Sequence, residues 1–196
     1  MARASAAATQ LSMLPRVATV PAEYEGLEYA RKDSPSVSAE GEPLQEPIAG
    51  VELRRPPTHA DERGSICEVY DLRWEFTDDP LVYVYHVTIR PGQIKGWVLH
   101  REQNDRLFAY AGTLRIVLYD ARTDSDTLGR LNVLHLGDHD RALVSIPAGV
   151  WHAVQNVGHE EASFINMPSQ PYRHDDPDKY RLPVENDVIP YRLTRR

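Results

Sequence analysis

The sequence predicts an all-β fold, a barrel or jelly roll with short or no helices, and three observations carry that expectation. Apolar and polar residues alternate with period two over about ten short runs. Turn residues interrupt those runs throughout, with 15 prolines and 11 glycines in 196 residues. Only one short stretch, near Asp176 to Tyr180, reads as a helical turn.

The elements follow in order. Residues 1 to about 45 hold Ala, Ser, Pro and Glu with little alternation, and DSPSVSAEGEPLQEP has the composition of an unpacked segment. The expectation is an extension over residues 1–45, mobile or reaching a partner subunit, and one domain over residues 46–196. From Pro47 a short strand turns through Pro56-Pro57 and resumes around Ile66 to Tyr70. Leu81 to Ile89 alternates as a strand, with Tyr83, Tyr85 and Val87 on one face and Val82, Val84 and His86 on the other. Pro91-Gly92 turns the chain into the next strands, the later one centred on Phe108 and Tyr110 and leading through Gly112 into LRIVLYDAR. A turn-rich segment precedes a strand through Leu131 to Leu136. ALVSIP and WHAVQNV are two strands joined at Pro147 to Gly149, followed by ASFINMP and a Pro- and Asp-rich tail.

Composition excludes several classes. The net charge of −7 provides no basic field for nucleic acid or an anionic membrane surface. A single cysteine, Cys67, excludes an internal disulfide framework and a thiolate metal cluster, and fits a reducing cytoplasm. No apolar run approaches the roughly 20 residues that a spanning helix needs.

Two stretches carry chemistry. In the first, Gly92 is followed after five residues by Val98, Leu99 and His100, then after four by Asp105, and after six more by Gly112. In the second, Pro147, Gly149, His152 and Asn156 stand in the order Pro-x-Gly-x-x-His-x-x-x-Asn. Strand side chains alternate, so positions 98 and 100 point the same way, and in a small barrel that way can be inward. A second strand delivering His152 would bring two imidazoles and a carboxylate into one pocket. That set serves an open metal site or acid–base chemistry.

The two stretches resemble the paired motifs of the cupin jelly-roll β-barrels, with Val98 at the first histidine and Asp105 at the glutamate. A narrower likeness rests on Asp61-Glu62-Arg63-Gly64, Glu68-Val69-Tyr70, Lys95-Gly96, Asp120-Ala121-Arg122 with Ser125, Thr127 and Gly129, and Ile146-Pro147-x-Gly149-x-x-His152. These resemble the dTDP-4-dehydrorhamnose 3,5-epimerases, from about Pro47 to Arg192. The resemblance implies a cupin homodimer that exchanges strands, needs no metal, and moves protons beside the C4 ketone of a nucleotide-linked deoxysugar. Laid on that pattern, the family's base falls on Val98, its acid near Asn166, its lysine on Arg106, and the aspartate that orients the base on Asp187. Tyr83 and Tyr85 fall where the family contacts nucleotide and sugar. Arg63, Glu68 and His152 are retained, and Lys95 replaces an arginine.

The expected function is therefore an epimerase-like cupin acting on a nucleotide-linked 4-keto-6-deoxysugar or a related carbonyl metabolite, in the cytoplasm, as a homodimer. His100 or His152 is the base, with Asp187, Tyr83 and Tyr85 as further catalytic candidates. Arg63, Glu68, Lys95, Arg106 and Asn166 are the substrate contacts. No cofactor is favoured. Two alternatives stand beside this reading: a metal-dependent cupin binding Fe, Mn, Ni or Zn through His100, Asp105 and His152, and a sugar-binding cupin that has lost catalysis with the base at Val98.

Overall fold

The structure, a computed structural model, describes residues 24–40 and 44–194. Most of the expected extension therefore lies outside the described residues. The chain divides into a unit ending at Glu46 and a unit Pro47–Arg196. The described part of the first unit holds a 3-10 turn at Leu27–Tyr29 and otherwise irregular backbone.

The second unit is built from strands β1 (Glu52–Arg54), β2 (Thr58–Asp61), β3 (Gly64–Cys67), β4 (Tyr85–Ile89), β5 (Ile94–Leu99), β6 (Asp105–Ala111), β7 (Thr113–Asp120), β8 (Leu131–Gly137), β9 (Ala142–Ile146), β10 (Val150–Asn156), β11 (Ala162–Asn166) and β12 (Tyr180–Arg181). One sheet has the order β1-β9-β6-β11-β4 and the other β12-β5-β10-β7-β8, while β2 and β3 form a separate hairpin. The chain repeatedly passes from one sheet to the other, as in a jelly roll. At the passage from β6 to β7, Gly112 has φ 72° and a Cβ there would stand 2.6 Å from that of Ala162, so only glycine fits the corner.

Period-two alternation sorts the side chains into three apolar layers. Leu107 and Ala109 of β6, Leu114, Ile116 and Leu118 of β7, Val150 and Val154 of β10, and Phe164 of β11 meet between the sheets. The outer face of the second sheet, with Trp97, Val117 and Ala153, is covered by Ile189 and Leu193 of the tail. On the outer face of the first sheet, Phe108 and Leu143 are covered by Val69, Tyr70, Trp74 and Phe76. The resembled Asp120 segment is structural. Its carboxylate accepts from Arg122, Ser125 and Thr127 and ties the β7–β8 connection together.

Two expectations about elements need correction. The strand expected over Leu81 to Ile89 forms only from Tyr85, because β11 offers it partners only from Asn166 to Ala162. The helical turn expected near Asp176 to Tyr180 is absent. Tyr180 and Arg181 instead pair with Leu99 and Val98 as an edge strand, which an open sheet edge favours over an isolated, Asp- and Pro-rich turn.

Candidate active site

Between the sheets the inward-facing positions change from apolar to polar toward one end. There a cavity of ≈ 340 Å³ is lined by Val98, His100, Asp105 and His152, by Tyr85 and Asn166, and by Lys95, Lys179 and Arg181. Leu107, Val154 and Phe164 give it apolar walls. The two halves of the motif thus converge as the spacing predicts: Val98 of β5 is paired with His152 of β10, and His100 follows two residues after Val98 on the same side. Lys95 would face away from Val98 in a regular strand. It shares the cavity because β5 carries an extra residue opposite β10, between the Val98–His152 and Lys95–Val154 pairs. Gly96 permits this close approach, since a Cβ there would lie 2.4 Å from that of Ala153.

Asp105 is the centre of the site. Its Oδ2 lies 3.3 Å from Nε2 of His100 and 3.5 Å from Nε2 of His152, and its Oδ1 accepts from Gln103 Nε2 at 3.0 Å. The imidazole rings are stacked, 5.6 Å between centroids. All three residues are buried. His100 Nδ1 donates to the main-chain carbonyl of Asp178, and the His100 carbonyl accepts from Gly149 N–H at 2.7 Å. Burial alone would push the His100 pKa down, but the Asp105 carboxylate and the Asp178 carbonyl outweigh it and leave it raised. Burial pushes Asp105 up, and hydrogen bonds from both histidines overcome it, holding the carboxyl well below its ordinary range.

A carbonyl only accepts, so Nδ1 of His100 carries a proton, and Nε2 is turned toward the Asp105 carboxylate. The contacts of His152 are longer, with Nδ1 3.3 Å from the Val150 carbonyl. Its Nε2 stands 3.5 Å from Oδ2 of Asp105. Across the cavity, on the other sheet, Tyr85 accepts a 2.6 Å hydrogen bond from Asn166 Nδ2, which leaves its own hydroxyl proton free. Burial raises the Tyr85 pKa, so the phenol is protonated at neutral pH. Burial lowers that of Lys179, with Arg181 and Lys95 adding to the effect. The cavity thus holds one carboxylate among several cations. Beside it Tyr83, Tyr172 and Arg173 line an adjoining cleft that shares Tyr85, His100 and Lys179.

One ligand atom from each of His100, Asp105 and His152 falls within 4.8 Å of the others, so these three could gather round a metal ion with open positions. Among the described residues no other such group occurs.

Four sequence-based assignments are corrected. Arg106 is fully buried but on the opposite face of β6, because its neighbour Asp105 faces inward. Its guanidinium donates to Met167, Asp79 and Pro80 carbonyls, so it is a structural clamp and not an oxyanion contact. Asp187 is exposed and stands beside Arg192, outside the cavity. Arg63 and Glu68 do not line this chain's cavity either: Arg63 sits on the separate β2–β3 hairpin paired with Asp61, and Glu68 is exposed just after it. Glu102, in the turn before Asp105, pairs with Arg173 outside the cavity. Sequence reasoning missed Asp178, Lys179 and Arg181. Alternation over Lys179 and Arg181 was the available signal, obscured by the Asp and Pro residues before them.

With this geometry in hand, the chain can be set beside known proteins. Residues 45–187 match the dTDP-4-dehydrorhamnose 3,5-epimerase family. The chain is 36% identical over 140 residues to the probable low-salt glycan biosynthesis epimerase Agl13 of Haloferax volcanii, covering 70% of this chain and 89% of that protein. It is 32% identical over 146 residues to the spore coat polysaccharide biosynthesis protein SpsL of Bacillus subtilis, covering 72% and 93%. The crystal structure of a dTDP sugar isomerase from Desulfovibrio desulfuricans G20 superposes with a TM-score of 0.69 at 25% identity, covering 74% of this chain and 92% of that one.

Proposed function

The chain belongs to the dTDP-4-dehydrorhamnose 3,5-epimerase family, and on that premise we propose that it epimerises a nucleotide-linked 4-keto-6-deoxysugar with a relocated set of proton-transfer groups. The observation that carries the reading is the His100–Asp105–His152 cluster facing Tyr85 across the cavity. A C–H beside the C4 ketone is acidic enough for an imidazole to remove when the resulting enolate oxygen is stabilised. His152 takes the proton from one face, and its charge is balanced by Asp105. The electron pair of the C–H bond moves onto the C4 oxygen, opposite the imidazolium of His100 and the ammonium of Lys179. Tyr85, from the other sheet, returns a proton to the opposite face of the same carbon as the electron pair moves back from the C4 oxygen, and solvent then takes the proton from His152 and reprotonates the phenolate. Lys95 and Arg181 suit the diphosphate, and the aromatic cleft at Tyr83 suits the base. Catalysis needs no metal in this scheme, because His152 and Tyr85 move the protons while His100 and Lys179 face the enolate oxygen.

We also read the chain as a cytoplasmic homodimer in which the β2–β3 hairpin brings Arg63 toward a neighbour's cavity. The hairpin is hydrogen-bonded to neither sheet, and Ile66 on it is 73% exposed. Light scattering that returned a stable monomer of 22.2 kDa would remove this part of the reading.

The test is solvent exchange. In D₂O, a dTDP-4-keto-6-deoxyglucose-type substrate should gain deuterium at C3 or C5 with the native protein. His152→Ala and Tyr85→Phe should each slow this by about 10²–10⁴-fold. Binding of the sugar nucleotide without any exchange would leave the non-catalytic alternative.

A further inference from the structure

Asp178 stands 78 residues after His100 and takes no part in the chemistry above, yet it grips the site at two points. Its carboxylate accepts from three successive main-chain N–H groups, those of Arg101 at 2.9 Å, Glu102 at 2.8 Å and Gln103 at 3.0 Å. Those groups form the turn between His100 and Asp105. Consecutive N–H groups converging on one anion make a strong, directional anchor. Its main-chain carbonyl accepts from His100 Nδ1. Lys179, the next residue, lines the cavity, and Tyr180 and Arg181 then pair with β5.

The consequence for His100 follows from counting donors. Asp105 alone would draw a neutral ring's single proton to Nε2 and leave Nδ1 bare. The Asp178 carbonyl requires a proton on Nδ1 as well. The anchored carbonyl on Nδ1 thus sets the ring with Nε2 aimed at Asp105. The acceptor at Nδ1 is a main-chain atom, so its position depends on what anchors residue 178, and that anchor is the residue's own carboxylate.

We propose that Asp178 is a positioning residue, which clamps the C-terminal segment against the 101–103 turn and thereby fixes the ring orientation of His100 and the proton on its Nδ1. Its catalytic consequence rests on the function proposed above; its effect on the ring does not.

The experiment uses the full chain without ligand. Nitrogen-15 NMR at neutral pH reads the protonation of each ring nitrogen of His100, with His152 as internal reference. In Asp178→Ala, and in Asp178→Asn, which keeps the shape but sets an amide N–H₂ against main-chain donors, Nδ1 of His100 should lose its proton while His152 stays as in the native protein. Asp178→Glu should restore part of the native pattern. Exchange into the 4-keto sugar should lose about 10–100-fold in kcat, the range for groups that orient a working histidine, with KM little changed. An unchanged His100 in both variants overturns the proposal. So does a parallel disturbance of His100 and His152, which would mark general loosening. Native protein that catalyses no exchange counts against the proposed function only, and the NMR result still decides the role of Asp178.

Discussion

Replacing Asp105 by Asn keeps the size of the side chain and removes the charge that both histidines share. An imidazolium 3.3 Å from a carboxylate oxygen is favoured by about 5 kcal/mol at an effective dielectric constant of ~20. Burying both groups costs several kcal/mol per ion. The pKa directions show which side prevails: Asp105 is lowered and His100 raised in spite of burial. The pair is therefore net stabilising, each tenfold change in proton affinity on folding contributing about 1.4 kcal/mol.

The sign with pH follows from linkage. The contribution of Asp105 is complete above its unfolded value of 3.8 and fades as pH falls through the lower native value. The contribution of His100 is complete below its unfolded value of 6.5 and fades as pH rises through the raised native value. Asp105→Asn should therefore cost most between those two unfolded values, about 1–3 kcal/mol, which corresponds to roughly 2–10 °C in Tm for a unit of this size. The deficit should shrink at higher pH as His100 of the native protein loses its proton. Urea titrations of both proteins from pH 5 to 9 measure this directly. A deficit that does not change over that range, or an Asn variant more stable at pH 5, would refute the account. In the variant, burial is left largely unopposed, so His100 should also titrate below its ordinary value.

Arg106→Met should destabilise the fold by about 3–5 kcal/mol, because it leaves the buried Met167 carbonyl and the partly buried Asp79 and Pro80 carbonyls without their donor. Exchange per folded molecule should stay within a few-fold of native, measured on protein quantified by its urea transition. Protein purified without added metal should carry only substoichiometric Fe, Mn, Ni or Zn by elemental analysis. A full equivalent that disappears in the His100→Ala, His152→Ala double variant would establish the metal-dependent alternative. Lys179→Ala should lower kcat for exchange more than it raises KM, whereas Arg181→Ala should chiefly raise KM; a change in KM alone for Lys179→Ala would make it a diphosphate contact.

Much of this was legible in the sequence, for a reason rooted in strand geometry. Period two fixes parity, so once one residue of a strand is placed inward the rest follow, and His100, His152, Tyr85 and Asn166 all lie where alternation puts them. Parity failed where an extra residue shifts β5, which brings Lys95 to the side of Val98. It was also misapplied at Arg106, where aligning charge with charge overrode the inward position of Asp105. The tail was opaque for another reason. Tyr180–Arg181 is a strand only because β5 presents an open edge, and a partner distant in sequence leaves no local pattern.

The placement of His100 has a structural logic. It stands two residues after Val98, the smallest step that keeps a side chain on the cavity side of the chain. The step carries it past the end of β5, which stops at Leu99, into a turn that a β-ladder does not hold. A base on the strand would be oriented by its neighbours in the sheet. A histidine beyond the strand needs other restraints, and His100 has them in the Gly149 N–H on its carbonyl, the Asp178 carbonyl on Nδ1 and the Asp105 carboxylate on Nε2. The inward position of β6 completes the site, where the Asp105 carboxylate faces both imidazoles. The histidine at 100, the carboxylate at 105 and the anchored segment at 178 thus hold one another in place, and a histidine introduced at position 98 alone would have neither the Gly149 nor the Asp178 contact that restrains His100.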